Sequence, residues 1–189
     1  MDYALTDYLS WYIPRLSENR DVIHLDASGV PSLTASDISI PATDPWTVIP
    51  LLEETLAEWQ GTQASEIVFT PGATGGSLLA LLTLADRDTE VVVESPIYEP
   101  MLRQAQRVAT ARRLVRRQDE GYRLSLNAAR RIINDRTSLV MITEPHNPSG
   151  RLSPRDKVLE LAAIAEQHGA RLLINEVYLG FTDQPSFLG

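Results

Sequence analysis

The sequence of 189 residues contains no cysteine. That excludes a disulfide framework, a thiolate nucleophile and a cysteine-ligated zinc site. Lysine is almost as scarce: of 17 basic side chains only Lys157 is a lysine, and the rest are arginine. Any chemistry that needs a side-chain amine therefore has one residue to draw on. Excess positive charge is missing too. The net charge of -8 argues against a partner that offers a phosphate backbone, so no nucleic acid is expected. No apolar run approaches membrane-spanning length, and the start, Met1-Asp2-Tyr3-Ala4, lacks the basic and apolar regions of a signal peptide. The expectation is a cytoplasmic protein with no membrane contact. The acidic, lysine-poor balance fits a salt-rich cytoplasm or a GC-rich genome, and does not choose between them.

What is present is ordinary globular material. Hydrophobic content is 43% and charged content 22%, and the length suits one domain or one and a half. The chain is organised around Thr70-Pro-Gly-Ala-Thr-Gly-Gly-Ser77. A β-favouring run, Glu66–Phe69, precedes it, and an apolar helix-forming run, Ser77–Ala85, follows. A strand, a glycine turn and a helix in that order form an anion site. The first helical amides have no partner within the helix, and the macrodipole places positive charge there. Gly72, Gly75 and Gly76 let backbone approach a ligand closely, and Thr74 adds a hydroxyl. The pattern is neither a Walker loop nor G-x-G-x-x-G. By itself it reads equally as a plain strand-to-helix turn.

The rest of the chain alternates. Residues 1–20 read as an arm or short helix carrying Tyr3, Tyr8, Trp11 and Tyr12. Val22–Leu25 is a short apolar run that ends in a turn over 26–31, and 32–48 read as loop. Pro50–Trp59 predicts a helix with Pro50 in its first turn and Gly61 past its end. Strands are expected at Glu90–Glu94, Val108–Val115, Ser138–Thr143 and Arg171–Asn175, with helices at Met101–Arg107, Leu126–Asn134 and Ser153–His168. Ser153 is the expected cap of the last helix, with Pro154 at its first position and Gly169 beyond its end. Near-continuous Val/Ile/Leu strands between helices imply a three-layer α/β/α fold with a mostly parallel sheet. Ligands in such sheets sit outside the carboxyl ends of the strands. Four stretches fall there: Gly72–Gly76, Ser95–Tyr98, His146–Gly150 and Asn175–Tyr178.

Thr70-Pro-Gly-Ala-Thr-Gly-Gly, Ser95-Pro-Ile-Tyr98, Glu144-Pro-His-Asn-Pro-Ser-Gly150 and Asn175-Glu-Val-Tyr178, with their spacing, resemble the large domain of fold-type-I pyridoxal-phosphate enzymes, the class I/II aminotransferase family. The similarity runs from about Val22 to the end. The resemblance implies an arm with substrate-side loops over 1–48 and part of a cofactor-binding large domain over 49–189. It implies pyridoxal 5'-phosphate as cofactor, an amino acid and a 2-oxo acid as substrates, and a homodimer. Lyases and decarboxylases share these motifs, so transamination is chosen on family frequency.

The resemblance also assigns roles. Ala73 and Thr74 match the residues that bind the cofactor phosphate, and Tyr98 the aromatic that stacks on the ring. Asn147 matches the amide that bonds the ring oxygen and helps place the substrate carboxylate. Tyr178 matches a second donor to that oxygen. Gly29 matches a loop that approaches the substrate carboxylate, and Trp46 an aromatic that reaches a neighbouring subunit. His146, beside Asn147, is expected to support the site rather than touch the reacting atoms.

Two departures stand out. Asn175 occupies the place of the family's aspartate, so a neutral amide faces the ring nitrogen where a carboxylate would hold its proton. Glu176 should point to the other face of its strand. The family's Schiff-base lysine lies well after Asn175–Tyr178, beyond Gly189, and Lys157 is expected to be exposed on a covering helix. No catalytic residue is therefore assigned in this chain. In the family sheet, two later strands lie between the strand at Ile67 and that at Ser138. The sequence alone is thus expected to leave unpaired strand edges and to be marginal, rearranged or dependent on a partner. Two readings follow: part of a transaminase, or a non-catalytic, truncated or split cofactor-binding homologue that acts with a partner. An unrelated α/β phosphate binder is the third.

Overall fold

A computed structural model describes residues 7–18, 34–37 and 44–188. The chain divides into two compact units, Met1–Ile67 and Val68–Gly189. Gly29 and the stretch 22–31 lie outside the described residues.

In the first unit, α1 spans Asp7–Glu18 and α2 spans Pro45–Gln60. Tyr8 and Tyr12, one helical turn apart, stack at 5.4 Å. Helix α2 starts earlier than the sequence suggested. Asp44 caps it by accepting from the Trp46 amide, and Pro45 opens it. Pro50 is therefore inside the helix, among exposed residues where water can take the carbonyl it leaves unpaired. Gly61 ends α2 as expected, at φ +69°.

The second unit holds α3 (Gly72–Leu84), β1 (Glu90–Ser95), α4 (Glu99–Val108), β2 (Thr110–Val115), α5 (Leu126–Ile132), β3 (Thr137–Thr143), α6 (Arg155–Gln167) and β4 (Arg171–Asn175). The four strands pair in the order β2-β1-β3-β4, all parallel. Alternate residues along them build two cores. Val91, Val93, Leu139 and Met141 meet Leu81 of α3 and Met101 and Ala105 of α4 on one face. Val92, Leu114, Val140 and Ile142 meet Ala129 of α5 and Val158, Leu161 and Ile164 of α6 on the other. Helices on both faces make this the expected three-layer α/β/α arrangement. Each fully buried aliphatic side chain stabilises the fold by about 1.5–3 kcal/mol.

The strand order places the site. From β1 the chain winds outward to β2, then crosses back to lay β3 on the opposite side of β1. The crevice between β1 and β3, at their carboxyl ends, is the position where such sheets accept ligands.

Two local expectations are corrected. Glu66–Phe69 forms no strand: a 3-10 turn over Ala64–Glu66 runs into irregular chain, with Val68 67% and Phe69 42% exposed. A short β-favouring run becomes a strand only where a sheet edge receives it, and no described strand pairs with this one. Ser153 does not cap α6. Its hydroxyl and amide both go to the buried Glu144 carboxylate, and the Lys157 and Val158 amides in the first turn of α6 go to the Pro154 carbonyl.

Candidate functional site

Helix α3 begins within the glycine stretch. Gly72 has φ +68°, a left-handed conformation that a side chain would strain. A Cβ on Gly75 would meet Pro71 Cδ at 3.1 Å, and one on Gly76 would meet Thr70 Oγ1 at 3.3 Å. These two glycines thus close the first turn onto Thr70 and Pro71, a packing reason the sequence did not disclose. The turn itself stays open: Ala73 and Thr74 are exposed. The Thr74 carbonyl accepts from Gln104 Nε2 of α4 at 3.1 Å, which ties the glycine turn to the helix that Tyr98 precedes.

The other predicted residues lie at the carboxyl ends of the sheet. Tyr98 is half-buried against the Val91–Met101 core. Asn147 Nδ2 donates to Tyr178 Oη at 3.4 Å, so side chains from the ends of β3 and β4 converge. Asn175, last in β4, lies on the same face as Leu173, with Nδ2 3.5 Å from Met101 Sδ and Oδ1 accepting from the Val177 amide. Thr143 Oγ1, paired in register with Asn175, is buried without a hydrogen-bond partner. Trp46 is 86% exposed in the first unit.

Glu176 points away from Asn175. Its carboxylate accepts from Ser186 Oγ and the Phe187 amide, both at 2.7 Å, on the face covered by α6. Lys157 is exposed on α6 and pairs with Glu160 at 3.1 Å. The only amine side chain is thus spent on a solvent-side ion pair.

His146 is 1% exposed. Its Nε2 lies 3.0 Å from the Pro96 carbonyl, which can only accept, so Nε2 carries the proton and Nδ1 accepts from Ser149 Oγ at 2.7 Å. Burial, and then the charge of Arg116, hold its pKa below the ordinary histidine value. The ring leans on Tyr122 at 5.6 Å, and Tyr122 is the only described non-glycine residue with positive φ, at 56°. One histidine therefore fastens the Tyr98 loop to the Asn147 loop.

A second fastening lies beneath. The side chains of Arg116, Glu94 and Glu144 are fully buried together. Arg116 Nη2 donates to Glu144 Oε1 at 2.7 Å and Nη1 to Ser153 Oγ at 3.1 Å. Its Nε stands 2.7 Å from Glu94 Oε2 but is not aligned for a hydrogen bond. Burial pushes the Glu94 carboxyl up to about 8 against the pull of Arg116. Sequence reasoning missed Arg116, Tyr122 and both glutamates. For the two glutamates the available signal was a carboxylate immediately after an apolar strand core, where a solvated end is the usual reading.

The donor set fits a phosphorylated aromatic ring held by non-covalent contacts: an open helix start, a tyrosine beside an apolar floor, and a paired amide and phenol. It offers no amine for covalent attachment. Among the described residues there is no cluster that could hold a metal ion, and no helix long and apolar enough to cross a membrane.

Comparison with known proteins identifies the family. Residues 36–188 match the family of aminotransferases of class I and II. An aspartate aminotransferase of Sulfolobus acidocaldarius is 29% identical over 118 residues, covering 61% of this chain and 30% of that protein. The cystathionine beta-lyase PatB of Bacillus subtilis is 25% identical over 117 residues, covering 59% of this chain and 30% of that protein. The crystal structure of a PLP-dependent aminotransferase from Streptococcus suis superposes with a TM-score of 0.68 at 27% identity, covering 73% of this chain and 38% of that one. The chain spans about a third of the length of the curated relatives it matches. With the family match covering most of the sequence and three of the four motifs at the strand ends of the parallel sheet, the chain belongs to the class I and II aminotransferase family.

Proposed function

We propose that this chain provides the phosphate cradle and the ring-positioning wall of a pyridoxal-phosphate-dependent aminotransferase, which moves an amino group between an amino acid and a 2-oxo acid. The carrying observation is the convergence of Asn147 and Tyr178 at adjacent strand ends, with Asn175 ending the same strand β4. Bound cofactor supplies an electron-withdrawing ring that stabilises negative charge at the substrate α-carbon. The first-turn amides of α3, with Ala73 and Thr74, bind its phosphate. Tyr98 stacks on the ring. Asn147 Nδ2 and Tyr178 Oη donate to the ring oxygen, and Asn147 also orients the substrate carboxylate. Asn175 bonds the ring nitrogen without supplying charge. The proton at the α-carbon has no base among these residues, since the single lysine is engaged with Glu160. A homodimer and an intracellular site of action belong to the same proposal.

The second reading, a non-catalytic cofactor-binding chain that acts with a partner, is favoured by the position of Lys157 and by Asn175. The lyase among the relatives keeps the reaction type tied to experiment. Equilibrium titration with pyridoxal phosphate tests the proposal: the wild-type chain binds, and Tyr178→Phe weakens binding about tenfold through one lost hydrogen bond. No binding by the wild type overturns it. Transamination by the isolated chain overturns the second reading.

A further inference from the structure

The Arg116 cluster lies directly under the candidate site, on the α5/α6 side of the sheet, and no step of the proposed function uses it. Its links reach every strand end. The Arg116 amide, just beyond β2, donates to the Ser95 carbonyl at 2.8 Å. Glu94, in β1, accepts from the Thr143 amide of β3 at 2.5 Å. Glu144 takes Arg116 Nη2, the Ser153 hydroxyl at 2.6 Å and the Ser153 amide at 2.9 Å, while its own amide donates to the Asn175 carbonyl of β4 at 3.1 Å. Glu94 leads straight into Ser95–Tyr98, and Glu144 into Pro145–Asn147.

We propose that Arg116 is a positioning residue of the pyridoxal-phosphate site: its guanidinium, clasped between Glu94 and Glu144, sets the separation of the Tyr98 loop and the Asn147 loop so that both side chains engage one ring. The inference rests on the reading of that site given above.

A planar fork suits this place. It meets Glu144, Ser153 and Glu94 in three directions at once, whereas an ammonium is a single point of charge that cannot hold all three in fixed geometry. Stability alone is a poor reason for such a cluster. Buried ion pairs often cost more in desolvation than they return, and an apolar replacement of equal volume would serve a merely structural end. The charge count agrees with a poised arrangement. One guanidinium faces two carboxylates, and burial keeps the proton on Glu94 up to about 8. The groups that face Glu94 are Arg116 after β2, the Thr143 amide of β3, and Glu144 after β3, with Ser153 and His146 completing the surround of Arg116 and Glu144. Four charged residues of α5 and α6 are engaged elsewhere: Arg130 and Lys157 with Glu160, and Arg155 with the Ser186 carbonyl.

The test uses the full chain with Arg116→Lys, Glu94→Gln and, as a control in the α6 core, Leu161→Ala. The first readout needs no cofactor: NMR signals of the Asn147 side-chain amide, the Tyr98 ring and the His146 ring. The second is titration with pyridoxal phosphate across pH. Arg116→Lys is expected to shift the Asn147 and Tyr98 signals together and to weaken binding about tenfold, the scale on which supports of ligand-holding groups act. The wild-type affinity is expected to fall as pH rises through about 8, where Glu94 gains charge beside Glu144, and Glu94→Gln is expected to flatten that fall. Leu161→Ala should lower stability and leave the loop signals in place. Folded Arg116→Lys with wild-type signals and affinity overturns the proposal, as does Leu161→Ala moving the loops equally. If Arg116→Lys does not fold, an unflattened pH profile in Glu94→Gln overturns it. If the wild type binds no pyridoxal phosphate, the site reading fails, and the cofactor-free spectra still decide the role of Arg116.

Discussion

At the carboxyl ends of the sheet, the two faces are built on opposite terms. On the α3/α4 face, Tyr98, Asn147, Asn175 and Tyr178 are half-buried, and the Asn147–Tyr178 and Asn175–Met101 contacts are long, at 3.4 Å and 3.5 Å. On the α5/α6 face, Arg116, Glu94, Glu144 and Ser153 are buried and joined at 2.6–2.9 Å for most pairs. The contacts of the first face are long between half-buried groups, and those of the second are short between buried ones. A ligand site needs both. Loosely engaged groups can exchange a neighbour for a ligand, but only if the backbone that carries them does not move.

The sharpest way to break that comparison is to empty the tightly joined face. Arg116→Met leaves the buried Glu144 carboxylate without its cation and is expected to cost about 3–5 kcal/mol, read as a lowered midpoint in urea denaturation. A loss near that of an exposed substitution would show that the cluster is not closed in solution.

Next in size is a dependence on pH. The folded chain holds the Glu94 proton up to about 8, while the unfolded chain releases it near 4.5. The folded state then binds more protons across that interval. The contribution of Glu94 is complete below about 4.5 and is lost as pH rises through about 8. His146 acts in reverse. Its folded pKa lies below 6.5, so its share of stability grows as pH rises toward 6.5. Between about 6.5 and 8 only the Glu94 slope should remain, and the melting temperature should fall. Glu94→Gln should remove the slope in that window. A flat wild-type curve there would mean that Arg116 keeps Glu94 ionised.

The two faces also differ in how much the sequence revealed. On the site face the motif residues stand in order, and their strands were plain, because Val91–Val93 and Leu139–Ile142 are apolar without interruption, as strands covered on both sides must be. The other face was hidden by sound local rules. Ser153 before Pro154 has the form of a helix cap, and only the buried Glu144 shows why its hydroxyl goes elsewhere. Arg116 follows an edge strand with Arg112 and Arg113, whose side chains are partly or wholly solvated, and nothing local marks it as buried. Glu66–Phe69 failed in the other direction. Its β-favouring residues had no described sheet edge to join. Propensity is local, whereas charge burial and strand pairing are settled by distant chain.

A smaller change sharpens the contrast from the site face. Asn175→Asp places a carboxylate beside Met101 Sδ, where the present contact is an amide at 3.5 Å. Without cofactor the new charge has no cationic partner in the site, so stability should fall by about 1 kcal/mol. With pyridoxal phosphate present, a protonated ring nitrogen supplies the partner, and affinity should rise by about tenfold. Opposite signs in the two states would mark residue 175 as a ligand-facing position. Unchanged affinity would place the ring nitrogen elsewhere.

The smallest effect is expected at Lys157, and it separates the two functional readings. The side chain is 46% exposed and shares Glu160 with Arg130. Losing one arm of an exposed ion pair changes stability by about 0–1 kcal/mol, so Lys157→Gln should melt close to the wild type. Lys157 belongs to α6, the helix on the far side of the sheet from Asn175, so the substitution should also leave the affinity for pyridoxal phosphate unaltered. Borohydride reduction of the cofactor-loaded wild type should then leave no covalent cofactor in the site, because the one amine side chain is on the wrong face. A stoichiometric adduct at Lys157, lost in Lys157→Gln together with binding, would require α6 to leave the sheet. The comparison of a yielding face with a fixed one would then fail at its fixed side.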